Sequence, residues 1–213
     1  MGTIEKGYMG GFKGLLGTAV GSKWKGKSVV KSRPPRKGTT PPTELQLQQQ
    51  AKFALIIAFL KPIRTLLNET YKKSAAGDMS GHNMAFSVNK DAVTGVYPAI
   101  VIDYSKVQLS QGSLFNADAP AAASTAAGKL VFTWTDNSDG ENELISDTAF
   151  VVAYNPDTKR WVQKQKIATR NAGTCTLDVP AFSGKPVQTY IGFMSANRKK
   201  ISDSLYTGIV NIL

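Results

Sequence analysis

The sequence has one cysteine, one histidine and no long apolar run, and each shortage removes a class of function. Cys175 alone cannot close an intrachain disulfide, and it rules out the paired-cysteine spacings of structural zinc sites. It lies in TCTLDV, an alternating run that suits a buried small hydrophobe. His82 has no partner His or Cys near it, which fits a surface or satisfied core residue. One Cys, one His and scattered acids do not assemble into nucleophile, base and orienting group, so the sequence argues against an enzyme. No catalytic residue, metal ligand or cofactor is expected. The most apolar stretch, AKFALIIAFLKPI, is too short for a membrane span and is cut by Lys61 and Pro62. The start, MGTIEKGYMGGFKG, lacks the apolar centre of a signal peptide. The expectation is synthesis in the cytoplasm, with a virion or released assembly as the destination.

Acidic residues are scarce at the N-terminus. Residues 1–45 hold nine Lys/Arg against two acids, whereas residues 96–213 hold eleven against ten. Most of the net charge of +11 over 213 residues is therefore concentrated at one end. Such an excess attracts phosphates, anionic lipid or acidic protein faces.

Three zones follow. Residues 1–42 carry nine of the 19 glycines, with single apolar residues such as Tyr8, Phe12, Val20 and Trp24 between them. Glycine costs backbone entropy on ordering, so this zone reads as an arm of short extended pieces that need another surface. RPPRKGTTPP (33–42) reads as a stiff linker. Residues 43–95 read as helical: Thr43 and Gln46 fit a capping box, and the apolar positions from Leu45 to Phe59 have helical spacing. Pro62 should end or kink that helix, with a second helix through Leu66, Leu67 and Tyr71 and a short third in MSGHNMAFSVNKDAV.

Residues 96–213 contain seven strand-like runs: AIVIDYSKVQLS, KLVFTWTD, AFVVAYN, RWVQKQKIA, GTCTLDVP, VQTYIGFMSA and SDSLYTGIVNIL. Turn signals such as NPDTK, RNAG and NRKK separate them. This spacing predicts an antiparallel β-sandwich of immunoglobulin-like architecture, making the chain α+β. Leu130, Phe132 and Trp134 should line one face of their strand and Phe150, Val152 and Tyr154 one face of the next, with the core between them. ADAPAAASTAAG (117–128) reads as a low-complexity surface connection.

GSKWKGKS (21–28) matches G-x-x-x-x-G-K-[ST], the phosphate loop of many NTPases. That loop needs a buried strand before it and a helix after it. Here VVKSRPPRK follows, and Pro34 and Pro35 leave no room for a helix. AIVID (99–103) resembles a magnesium-holding strand, but the run continues as an alternating strand. The chain also lacks the strand–helix alternation of a parallel nucleotide-binding sheet. The segment from Trp24 to Val29 reads instead as an extended hairpin or bent strand.

The series G-F-x-G-x-x-G-x-x-V-G-S-x-W-K-G, V-x-S-R-P and T-E-x-Q-L-x-Q-Q-A-K-F-A-L resembles an uncharacterised family of about 210-residue Bacteroidota proteins. YPAIVIDYSKVQLSQG, FTWTDNS, AYNP and FMSA with SDSLYTG carry the same resemblance, which spans nearly the whole chain. It implies no catalytic residues. The Gly-rich start, the basic step and the Gln-rich helix are more loosely similar to small phage structural proteins.

The leading expectation is a non-enzymatic structural protein that binds copies of itself through the basic arm: Lys23, Trp24, Lys25, Lys27, Lys31, Arg33, Arg36 and Lys37. Asp136, Asp139, Glu141 and Glu143 form a candidate acidic patch to receive it. The alternative is nucleic-acid binding by the same arm, with its cations on phosphates and Trp24 stacked on a base. A binding module acting through the sandwich loops would need an exposed aromatic such as Trp161, which fits a core position equally well.

Overall fold

The computed structural model describes residues 2–4, 10–24, 26–33, 41–72, 79–138 and 145–213. The chain divides into two compact units, Met1–Thr43 and Glu44–Leu213.

In the first unit four strands pair antiparallel in chain order: β1 (Gly2–Ile4), β2 (Phe12–Leu16), β3 (Ala19–Trp24) and β4 (Lys27–Ser32). The extended pieces expected from the sequence thus use one another as partners. A glycine makes this close pairing possible. A Cβ at Gly21 would overlap the Phe12 carbonyl and lie 2.6 Å from its ring, so the aromatic covers the place of the missing side chain. GSKWKGKS spans the β3–β4 hairpin. Gly26 takes the left-handed turn position at φ 79°, and the residues that would open a helix in a phosphate loop form β4 instead.

The second unit begins with α1 (Glu44–Leu60). Pro62 lies in the 3-10 turn Lys61–Ile63 that ends it, because a proline inside a helix loses a hydrogen bond and clashes with the preceding turn. Then come α2 (Arg64–Thr70) and α3 (Gly81–Asn89). The Ser80 hydroxyl caps α3 by accepting from the Asn83 N–H (3.2 Å), and Asn68 Oδ1 on α2 accepts from the His82 N–H (2.9 Å). β5 (Val93–Val96) and β6 (Ala99–Ile102) form a separate two-stranded hairpin. The AIVID run therefore does not join the sandwich.

Seven strands do: β7 (Asp118–Ala126), β8 (Lys129–Thr135), β9 (Thr148–Asn155), β10 (Arg160–Lys164), β11 (Thr174–Asp178), β12 (Pro186–Met194) and β13 (Leu205–Asn211). They form the sheets β11-β8-β7 and β10-β9-β12-β13. The fifth strand pairs with the second and the sixth with the third, the crossing order of an immunoglobulin-like sandwich. The first of these strands is the alanine-rich segment that reads as a surface connection. Alanine is a poor strand former. Here pairing with β8 and a bond from the Leu213 N–H to Ser124 Oγ (3.0 Å) override that preference.

A second correction concerns β9. Leu130, Phe132 and Trp134 do share a buried face, but Phe150, Val152 and Tyr154 point away from them. The residues that meet β8 across the sandwich are Ala149, Val151 and Ala153. The larger side chains pack with Tyr190 and Met194 against Ile56, Phe59, Leu60, Leu66 and Leu67 of the helical layer. The sheet β10-β9-β12-β13 is thus the middle of three layers. A strand buried on both faces loses the polar–apolar alternation that would assign its sides.

Candidate assembly surface

Register fixes the two faces of the N-terminal meander, because directly paired residues share a face. Trp24 pairs with Lys27, Ser22 with Val29 and Val20 with Lys31. Trp24, Lys27 and Lys31 therefore stand on one face. Lys23 pairs with Ser28 and lies on the opposite face, beside Val30 and Gly21. Arg33 follows β4, with its backbone N–H donating to the Thr18 carbonyl (2.6 Å). Lys25, Arg36 and Lys37 lie outside the described residues, as do Asp139, Glu141 and Glu143 of the acidic patch. Asp136 is exposed and accepts from the Ser138 N–H (3.1 Å), a local turn bond.

The structure thus brings together one aromatic and two cations of the expected set. It also adds apolar surface on both sides of the sheet: Trp24 is 62% exposed, Val30 61% and Leu16 59%. Among the described residues of this unit only Gly21 is buried. Covering side chains of this size contributes about 1.5–3 kcal/mol each, so these faces favour contact with another surface.

A second apolar region lies on the helical layer. Leu45 (74% exposed) and Phe53 on α1, with Val96, Tyr97 and Val101 of the β5–β6 hairpin, are all open to solvent. A hollow of about 650 Å³ between α1, α3 and β5 has Phe53, Ile56, Phe86 and Val93 in its lining and Lys52, Lys90 and Asp91 among its polar groups. FALIIAFL is apolar all round, which favours burial on more than one side; the structure buries Ile56, Phe59 and Leu60 and leaves Phe53, Ala54 and Ala58 exposed.

Trp161 is half-buried: its ring lies 4.7 Å from Phe59 and 4.5 Å from Tyr154, and Nε1 donates to the Phe59 carbonyl (3.1 Å). It joins sheet to helix and is not presented on a loop. Cys175 is buried, and burial pushes its thiol up to about 12, so it is protonated at neutral pH. His82 lies in α3, on the other side of the middle sheet from the core that holds Cys175. Burial and the Arg64 charge lower its pKa, and Nε2 is buried without a hydrogen-bond partner. Among the described residues no helix is long and apolar enough to cross a membrane, and no group of three or more His, Cys, Asp or Glu comes together.

Sequence reasoning missed a buried ion pair. Arg170, in the RNAG turn signal, is fully buried with Nη2 3.2 Å from Asp147 Oδ2. Its guanidinium also donates to the carbonyl oxygens of Phe115 (2.9 Å) and Asn116 (3.3 Å) and to Asn137 Oδ1 (2.6 Å). It stacks 4.0 Å over Phe193, and its carbonyl accepts from Trp134 Nε1 (2.6 Å). With every acceptor a neighbouring loop or strand end, the pair ties the sandwich pole together. Nothing in the local composition marks it.

The chain belongs to the family of unknown function DUF6266, whose sequence profile matches residues 11–208. No curated protein matches it. Among solved structures it is similar to the fn3 domain of human collagen alpha-1(XX) chain. That match has 14% identity and a TM-score of 0.33, over 46% of this chain and 84% of that one. It is also similar to the chicken CNTN1 FN1–FN3 domains, at 12% identity and TM-score 0.37, over 47% of this chain and 34% of that one. The fn3 domain of human contactin 1 matches at 10% identity and TM-score 0.30, over 56% and 93%.

Proposed function

We propose that this DUF6266 protein is a non-enzymatic structural protein that self-assembles through its N-terminal unit, as a component of a phage-like virion, tail or filament. The observation that carries this reading is the meander: a four-stranded sheet with Trp24, Leu16 and Val30 exposed, in a chain whose other unit has its own cores. Its binding site would be a different surface on the next copy, a head-to-tail contact that repeats without closing. The exposed residues of α1 and the β5–β6 hairpin supply apolar area for that role, and Asp136 supplies charge of the opposite sign. The looser sequence resemblance of the Gly-rich start, basic step and Gln-rich helix to small phage structural proteins supports the same reading.

The test is light scattering on the full chain and on residues 44–213, at low and high salt, with absorbance at 260 and 280 nm recorded. Large regular particles from the full chain and monomers from residues 44–213 are expected. A full chain that is monomeric in both salts overturns the reading. A second reading, nucleic-acid binding, is favoured by Trp24, Lys27 and Lys31 sharing one face. It expects complexes rich in 260 nm absorbance that dissociate steeply with salt.

A further inference from the structure

The body carries a second concentration of positive charge, far along the chain from the basic N-terminus. A cleft of about 610 Å³ is lined by Glu69, Thr70 and Lys72 at the end of α2, by Gln111–Ser113, and by Asn197–Ile201 in the loop between β12 and β13. Among the described residues four cations, Lys72, Arg198, Lys199 and Lys200, line it against one carboxylate, Glu69. Arg198 Nη1 lies 2.7 Å from Glu69 Oε1, which ties the loop tip to α2. Lys72, Lys199 and Lys200 have no ion pair among the described residues. Asp203 stands nearby, with Oδ1 accepting from the Gly112 N–H (3.0 Å).

A run of cations on a free loop would spread into solvent. This loop is pinned. Asn197 Oδ1 accepts from the Lys199 N–H (2.9 Å), Ser195 Oγ from the Lys200 N–H (2.9 Å), and the Ser195 carbonyl from the Arg198 N–H (2.8 Å). Arg198 sits at φ 56°, a left-handed conformation that a non-glycine residue holds only when its surroundings enforce it. Below, the Leu114 N–H donates to the Ile201 carbonyl (3.0 Å), fixing one wall to the other. Like charges are therefore held around one hollow before any ligand arrives. That arrangement suits a compact multivalent anion, which relieves their repulsion without reorganising the site.

We infer that this cleft binds a chain of phosphate groups of di- or triphosphate size. Its volume is that of a small-ligand site. Its lining includes Gln111 and Ser113 as neutral hydrogen-bonding groups beside the cations. Among the described residues no aromatic lines it, so they offer a base no stacking surface, and the recognised part is the phosphate chain. This distinguishes the cleft from the Trp24 face and makes the inference independent of the assembly reading.

The test is calorimetric titration of the full chain with inorganic tripolyphosphate, with ATP and UTP in parallel and sulfate as control. Two variants accompany it: Lys199→Gln with Lys200→Gln at the cleft, and Lys27→Gln with Lys31→Gln on the meander. These are exposed side chains, and the unfolding midpoint checks that the body is intact. Tripolyphosphate is expected to bind with Kd below about 1 mM at low salt, and the cleft variant to weaken it about tenfold or more. The meander variant should leave it nearly unchanged. Equal affinity for ATP and UTP assigns recognition to the phosphates, and a strong preference for one nucleotide overturns that assignment. Absence of binding overturns the proposal, as does a loss that follows the meander variant. A cleft variant that changes only particle mass overturns it too, and gives the cleft to protein contact.

Discussion

The two units of the chain solve the problem of ordering backbone in opposite ways. Residues 1–43 hold nine Lys/Arg against one acid, and residues 44–213 hold seventeen against fourteen. Every buried hydrophobic side chain among the described residues belongs to the second unit, which encloses two cores on the two sides of one sheet. Among its described residues the first unit has strand pairing and no buried hydrophobic side chain. Yet one device recurs in both. Phe12 lies over Gly21 in the meander, and Phe150 lies over its cross-strand partner Gly192 in the body, where an added Cβ would be 2.5 Å from the ring. In the body Phe150 belongs to the core between sheet and helices; in the meander Gly21 is the one buried position among the described residues of its unit.

The largest expected effect that separates the units lies at the sandwich pole. Asp147→Ala leaves the Arg170 guanidinium buried without its carboxylate and should cost about 3–5 kcal/mol in urea unfolding. Trp24→Ala should shift the same transition by less than about 0.5 kcal/mol. Next comes the glycine pair. Gly192→Val forces the Phe150 ring aside and should cost about 1–3 kcal/mol. Gly21→Val should disturb the amide signals of β2 and β3 while leaving the unfolding of the body in place. If both substitutions weaken the body alike, the units are not independent.

A smaller effect is expected from pH. Burial and the Arg64 charge hold His82 below its ordinary value of 6.5. The unfolded chain then takes up a proton that the folded chain resists, so this contribution is complete above 6.5 and is lost as pH falls through the folded value. His82→Gln should flatten that part of the stability profile, and thermal unfolding across the acid range measures it. The smallest effect is expected from removing residues 1–43. The unfolding midpoint of the body should stay where it was, since no core side chain is lost. A clear drop would show that the meander belongs to the folding unit.

Much of the scaffold was legible where local signals and tertiary demands agree. Pro62 ends a helix whichever surface it meets, and Leu130, Phe132 and Trp134 alternate on a strand exposed at its other face. Legibility failed where packing overrides local preference. The alanines of β7 form a strand because β8 and the C-terminal residues pair with them. AIVID is strand-like in composition, but its partner is β5. The sides of β9 could not be read because both are apolar. At the candidate site, the basic zone and Trp24 were visible, but the separation of Lys23 from Lys27 and Lys31 follows from hairpin register. The Arg170 pair and the Lys72–Lys200 cleft join residues distant in sequence, and no spacing rule finds them.

The middle sheet also decides how this architecture can be moved. A free-standing sandwich turns its outer faces to water, so it can be cut from one chain and inserted into another. Here Phe150, Val152, Tyr154, Tyr190 and Met194 stand on what would be an outer face, and the helices cover them. Excised as residues 118–213, the seven strands would expose that wall at once and aggregate instead of forming a portable cassette. The transplantable unit is residues 44–213, helices included, and fusions or domain shuffling must carry it whole.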